Sequence, residues 1–136
     1  MDRSTPVRDV MLEFYDRLSA NDVESFDRLV SSHPDTVVVG TAPGERVTDR
    51  AALRFGFETE GVRFEAGTDP IGYEEGALGW FLDEPRMFYP DGSSMRIRLT
   101  TILLREDDRW KLVHMHASAG VPDEEVVELQ SRWGVT

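Results

Sequence analysis

The sequence predicts an α+β fold in which helices cover one face of an antiparallel sheet. Three observations carry this. Helical periodicity is confined to the first 60 or so residues and the last 15, strand periodicity fills the stretch between, and Met95–Gly120 reads as one long hairpin. In that hairpin, β-branched and apolar residues run up to Glu106-Asp107-Asp108 and then resume with a period of two, as two strands joined by a polar turn do.

The first helix starts from Ser4-Thr5-Pro6, a hydroxyl cap followed by proline at the first helical position, and Val7, Val10, Met11, Phe14 and Leu18 recur at helical spacing to about Ser19. Tyr15 flanks that stripe, its ring able to be buried while its hydroxyl seeks a partner or a ligand. Asn21 or Asp22 caps a shorter helix carrying Val23, Phe26, Leu29 and Val30, which Ser31-Ser32-His33-Pro34 ends. His33, before proline in a loop, reads as solvated. Thr36–Val39 is a short strand. Gly40–Glu45 is a turn-rich connector whose glycines are too few and wrongly spaced for a phosphate cradle.

Thr48 or Asp49 caps a third helix through Leu53, Phe55 and Phe57, finished before Gly61. Strands follow. Val62, Phe64, Ala66 and Thr68 alternate with polar residues, Pro70-Ile71-Gly72 breaks the run, and Ala77–Tyr89 reads as one long strand with Pro85 at a bulge or edge. Trp80 and Leu82 share a face of it. Tyr89-Pro90-Asp91-Gly92 turns back into the hairpin, and Pro122-Asp123-Glu124-Glu125 opens a last helix ending near Trp133-Gly134.

A tight hairpin turn sets Leu104 opposite Trp110, Thr100 near His114 and Arg98 near His116. One face then holds Arg96, Arg98, Thr100, Ile102, Leu104, Trp110, Leu112, His114, His116 and Ser118, and the other holds Ile97, Leu99, Thr101, Leu103, Val113, Met115 and Ala117. The second set is almost wholly apolar and belongs under the helices, as core or as a core with a cavity in it. Two histidines at i, i+2 point the same way on a strand, but a metal site needs a third ligand, so they read instead as hydrogen-bonding across the sheet or meeting a second subunit. His116 with Ser118 lacks the orienting acid and oxyanion hole of a nucleophilic dyad.

Composition bounds the partners. The 136 residues are the length of one domain, spanning residues 1–136. With 26 acidic and 15 basic residues the formal charge is −11, which repels nucleic acid and anionic membrane surfaces. There is no cysteine, hence no disulfide framework. The charged start MDRSTPVRDV and the lack of any apolar run of about 18 residues make a cytoplasmic protein without membrane contact the expectation. No motif implies a cofactor.

The order of elements, Phe14-Tyr15 on the first helix, the connector Val39–Glu45 and the motif Trp110–Ser118 together resemble a SnoaL-like domain of the nuclear transport factor 2 superfamily, over nearly the whole chain. The last motif is similar to that of the association (hub) domain of calcium/calmodulin-dependent protein kinase II and its bacterial single-domain relatives. The resemblance implies a strongly curved sheet wrapped as a cone around the first helix, an open cavity within, and a homodimer through the sheet's outer face. On that basis Phe14, Tyr15, Trp80, Leu82, Thr101, Met115 and Ala117 are cavity candidates. Arg98, Thr100, Trp110, His114, His116 and Ser118 are interface candidates.

The arginines with which the kinase hub binds carboxylates align with Thr101, Ala117 and Leu82, all uncharged, so a small, largely apolar ligand suits the cavity better. The resemblance to ketosteroid isomerase, of the same superfamily, matches Tyr15 to the oxyanion donor by element and puts the base at Val39, which holds no proton; Asp83 or Glu84 substitutes only if it points inward. Three functions follow as expectations: a homodimeric ligand-binding cone; an isomerase, cyclase or dehydratase on a small hydrophobic substrate; or a hub-type assembly module.

Overall fold

The computed structural model of the protein describes residues 1–59 and 61–134. Its elements in order are β1 (Asp2–Arg3), α1 (Thr5–Ser19), a 3-10 turn (Val23–Ser25), α2 (Phe26–Leu29), β2 (Val37–Val39), β3 (Arg46–Val47), α3 (Arg50–Glu58), β4 (Arg63–Glu65), β5 (Ile71–Glu75), β6 (Leu78–Asp83), β7 (Arg86–Phe88), β8 (Ser94–Arg96), β9 (Arg98–Glu106), β10 (Arg109–Ser118) and α4 (Asp123–Trp133). Seven strands form a large curved sheet in the order β1-β5-β6-β9-β10-β2-β3, and β4-β7-β8 form a small second sheet. All pairings are antiparallel except β2 with β10.

Helix α1 explains where the core lies. Ser4 caps it by accepting a hydrogen bond from the Val7 amide at 3.1 Å. Val7, Met11, Phe14 and Tyr15, at i, i+4, i+7 and i+8, are all buried against the inner face of the sheet. There they meet Phe81, Leu99, Leu103 and Leu112. Each such side chain contributes roughly 1.5–3 kcal/mol by leaving water. Asp49 caps α3 through the Ala52 amide at 3.1 Å, and Phe57 from that helix meets Phe14 and Phe26 edge to face, both at 5.5 Å.

The structure corrects the strand reading in three places. Ile71–Glu75 is a strand, not a break. Gly72 permits it, because a Cβ there would lie 2.7 Å from the Arg8 nitrogen and the Ser4 oxygen of the helix packed on it. The stretch Ala77–Tyr89 is two strands in different sheets: β6 ends at Asp83, and Pro85 lies between it and β7. At its tip the hairpin turn is the two-residue Asp107-Asp108, with φ of 50° and 61°, so Glu106 pairs with Arg109 and Trp110 with Arg105. A bulge at Val113 then shifts the pairing again, giving His114 opposite Ile102, His116 opposite Thr100 and Ser118 opposite Arg98.

Those two steps decide which way Trp110 points. The shorter turn moves Trp110 and Leu112 to the helix-packed face, and the bulge returns His114 and His116 to the outer one. Trp110 is 7% exposed and sits in the core, its ring against Gly79 on β6, rather than on an outer interface. The last helix, α4, carries no buried residue and exposes Val127 and Trp133.

Candidate functional site

A cavity of about 350 Å³ lies between α1, α2 and α3 on one side and β2, β10, β4 and β7 on the other. Its inner end is framed by Phe14, Phe26, Val30, Phe57, Leu112 and Met115, all buried. Its outer end passes the exposed residues Glu45, Gly56 and Gly61. The helical roof is held by Arg50, whose guanidinium lies 4.7 Å over the Phe26 ring and donates to the Ser31 carbonyl at 2.7 Å and to Asp27 at 2.8 Å. The volume is about 350 Å³, and the walls are mostly apolar.

Polar groups are few. Among the described lining residues, the ionisable side chains are Glu45 and Tyr89, and the neutral hydroxyls are Thr41 and Thr59. Tyr89 donates to Met95 Sδ at 3.2 Å. Glu45 belongs to the turn between β2 and β3. There Gly40 N donates to the Glu45 carbonyl at 2.9 Å, and Gly44 takes a φ of 79°. That turn folds the Glu45 carboxylate back over Gly40, so that a side chain on Gly40 would overlap it. The sequence reads Gly40–Glu45 as a turn-rich connector and as part of a family motif, and gives Glu45 no role of its own. The signal it offered was one acid beside paired glycines, which elsewhere marks an ordinary turn.

Of the cavity candidates, Phe14, Met115 and Ala117 line this space. Tyr15 does not. It is 2% exposed behind the wall, packed 5.5 Å from the lining residue Phe64. Its hydroxyl donates to Asp83 Oδ2 at 3.0 Å. Burial first, and the neighbouring Asp83 charge second, push the phenol well above its ordinary value. Asp83, 3% exposed, also accepts the Gly67 amide at 3.1 Å. The acid on the long strand is thus inward-facing, as the isomerase reading requires, yet it is held by Tyr15 and Gly67 and lies outside the cavity lining. Val39, the base position by resemblance, does line the cavity, as an aliphatic side chain.

Trp80 and Leu82 are corrections. The inward residues of β6 are Gly79, Phe81 and Asp83, all buried, so Trp80 and Leu82 face outward. Trp80 stacks on Tyr73 at 4.5 Å, and Leu82 is 39% exposed. Thr101 faces inward but is fully buried beneath the helices, its hydroxyl without a partner, and is not part of the lining.

On the outer face, Arg98, Thr100 and His116 are exposed, and Ser118 and His114 are half-buried. His114 Nδ1 donates to the Val37 carbonyl at 3.0 Å, which ties its ring to the parallel neighbour strand and places the proton on that nitrogen. Ile102, opposite His114, is 38% exposed. Among the described residues no cluster of three His, Asp or Glu side chains is arranged to hold a metal ion, and no helix is long and apolar enough to cross a membrane.

Comparison with known proteins agrees with this architecture. No curated protein matches the chain. Solved structures with the same fold include an NTF2-like protein of unknown function from Pseudomonas putida KT2440, 18% identical over 90% of this chain and 93% of that one, with a TM-score of 0.71. The CaMKII hub of S. rosetta is 19% identical over 88% and 98%, with a TM-score of 0.69. A proposed dehydratase of the NTF2-like family from Streptomyces avermitilis is 20% identical over 86% and 95%, with a TM-score of 0.68. Residues 7–123 match the family model of the SnoaL-like domain, which covers α1 through the start of α4. With the curved sheet, the helices packed inside it and the cavity between them, the chain belongs to the SnoaL-like domain family.

Proposed function

We propose that this protein binds a small, largely apolar molecule in the cavity between α1–α3 and β10, and that it does so as a homodimer joined through the outer face of β6, β9 and β10. The observation that carries the ligand reading is the cavity itself: about 350 Å³ of open space walled by Phe14, Phe26, Val38, Phe57, Met115 and Ala117. A core built only for stability fills such space with side chains. Leaving it open forgoes dispersion contacts, which a ligand restores on entry. The dimer reading rests on Leu78, Leu82 and Ile102, exposed at 53%, 39% and 38% on the face that His114 and His116 also share.

Less supports an isomerase, cyclase or dehydratase. Such chemistry needs a proton acceptor within reach of the substrate. The one inward acid on β6 is already engaged by Tyr15, which leaves the rim residue Glu45 as the carboxylate among the described lining.

The test is uptake of the neutral, apolar fluorophore Nile red. Wild-type protein is expected to give a saturable, blue-shifted emission at one dye per chain. Ala117→Phe fills the cavity from its floor and is expected to abolish the signal while the far-ultraviolet circular dichroism stays unchanged. Emission that never saturates, or that survives in a folded Ala117→Phe variant, overturns the ligand reading.

A further inference from the structure

The cavity's charge distribution goes one step further than its shape. Among the described lining residues the one carboxylate is that of Glu45, at the rim, and there is no lysine, arginine or histidine. Glu45 is in none of the ion pairs among the described residues. An unpaired carboxylate beside low-dielectric walls attracts a cation and repels an anion more strongly than the same group in open water. The background charge of −11 adds to the same preference.

The turn that presents this group is specific in one respect. Gly40 pairs with Glu45 through its amide, and its missing side chain is where the carboxylate lies. Gly40 has no left-handed φ, so its need for glycine is one of space alone. Thr41, next in the chain and also in the lining, sets a hydroxyl beside the same rim.

We infer that the cavity selects amphiphiles whose polar end is an amine, the ammonium meeting Glu45 at the rim while the apolar body enters between Phe14, Phe57 and Met115. The inference rests on the cavity being a ligand site. It assigns a ligand class that the apolar lining alone leaves open, and it sets carboxylates last in order of preference.

The experiment displaces Nile red with three compounds of one skeleton: naphthylmethylamine, naphthylmethanol and naphthoate. The amine is expected to bind about tenfold more tightly than naphthoate, with the alcohol between them. Glu45→Gln is expected to bring the amine to the level of the alcohol. Gly40→Ala, which keeps the charge but takes the place of the carboxylate, is expected to weaken the amine more than the alcohol. Absence of saturable Nile red binding sinks the ligand site itself, and failure of the amine to displace a saturably bound dye overturns the amine assignment. Displacement by the alcohol with no advantage for the amine over naphthoate, or an advantage that persists in Glu45→Gln, overturns the amine assignment and leaves the ligand site standing.

Discussion

The Tyr15 hydroxyl and the Asp83 carboxylate, 68 residues apart in sequence, meet at 3.0 Å inside the core and join the first helix to the sheet. Removing the donor leaves a buried acid with the Gly67 amide at 3.1 Å as its remaining partner among the described residues. Tyr15→Phe is therefore expected to lower unfolding free energy by about 1–3 kcal/mol, read from urea denaturation at neutral pH.

The same phenol gives a pH dependence. Its proton is held more tightly in the folded state than in the unfolded chain, where the ordinary value is 10.0. The stabilisation is thus complete below pH 10 and is lost as pH rises above it, because only the unfolded chain then ionises. Denaturation from pH 9 to 11 is expected to show the wild type losing about 1.4 kcal/mol more per pH unit than Tyr15→Phe once past the ordinary phenol range. Parallel curves for the two proteins would contradict the burial of this proton.

Gly79 is the second position where sheet and helix meet without slack. A Cβ there would lie 2.8 Å from Val7 Cγ2 and 3.2 Å from the Trp110 ring. Gly79→Ala is expected to cost about 1–3 kcal/mol through overpacking, while Gly120→Ala, with nothing within 4 Å, leaves the urea midpoint in place.

Thr101 offers the opposite sign. Its hydroxyl is buried on the inner face between Phe81 and Met115 with no hydrogen-bond partner among the described residues. Thr101→Val keeps the shape, removes the desolvated group, and is expected to raise stability by about 1 kcal/mol.

The proposed dimer is tested on β6 and β9. Leu82→Glu with Ile102→Glu places charge on two exposed apolar side chains without touching the core. Light scattering at micromolar concentration is expected to give the mass of two chains for the wild type and of one for the double variant. Equal masses for both proteins would remove this face from consideration.

Much of the architecture is legible in the residues because each element announces itself locally. The hydroxyl cap expected from Ser4-Thr5-Pro6 is Ser4, Asp49 of the pair Thr48 and Asp49 caps α3, and Val7, Met11 and Phe14 form the expected stripe. What was hidden is parity. A turn one residue shorter than expected, followed by a bulge at Val113, reverses Trp110 and Leu112 but restores His114, Met115 and Ala117. Periodicity cannot register two compensating shifts in a strand where both faces carry apolar side chains. Trp80 and Leu82 were misplaced for a related reason: on β6 the inward residues include a glycine and an acid, Gly79 and Asp83, so hydrophobicity points the wrong way. Glu45 escaped notice because its relation to Gly40 exists only once the turn has closed.

The parallel seam between β2 and β10, where His114 Nδ1 reaches Val37 across 77 residues of sequence, has a consequence for biosynthesis. Val38 and Val39 cannot find Met115 and Ala117, which complete the same wall of the chamber, until the final strand has left the ribosome. The nascent helices must wait with their greasy sides wet, and closure is a late, slow event governed by distant partners. Any lesion that delays β10 would therefore leave the helices without the sheet that stabilises them and nowhere for a guest to sit.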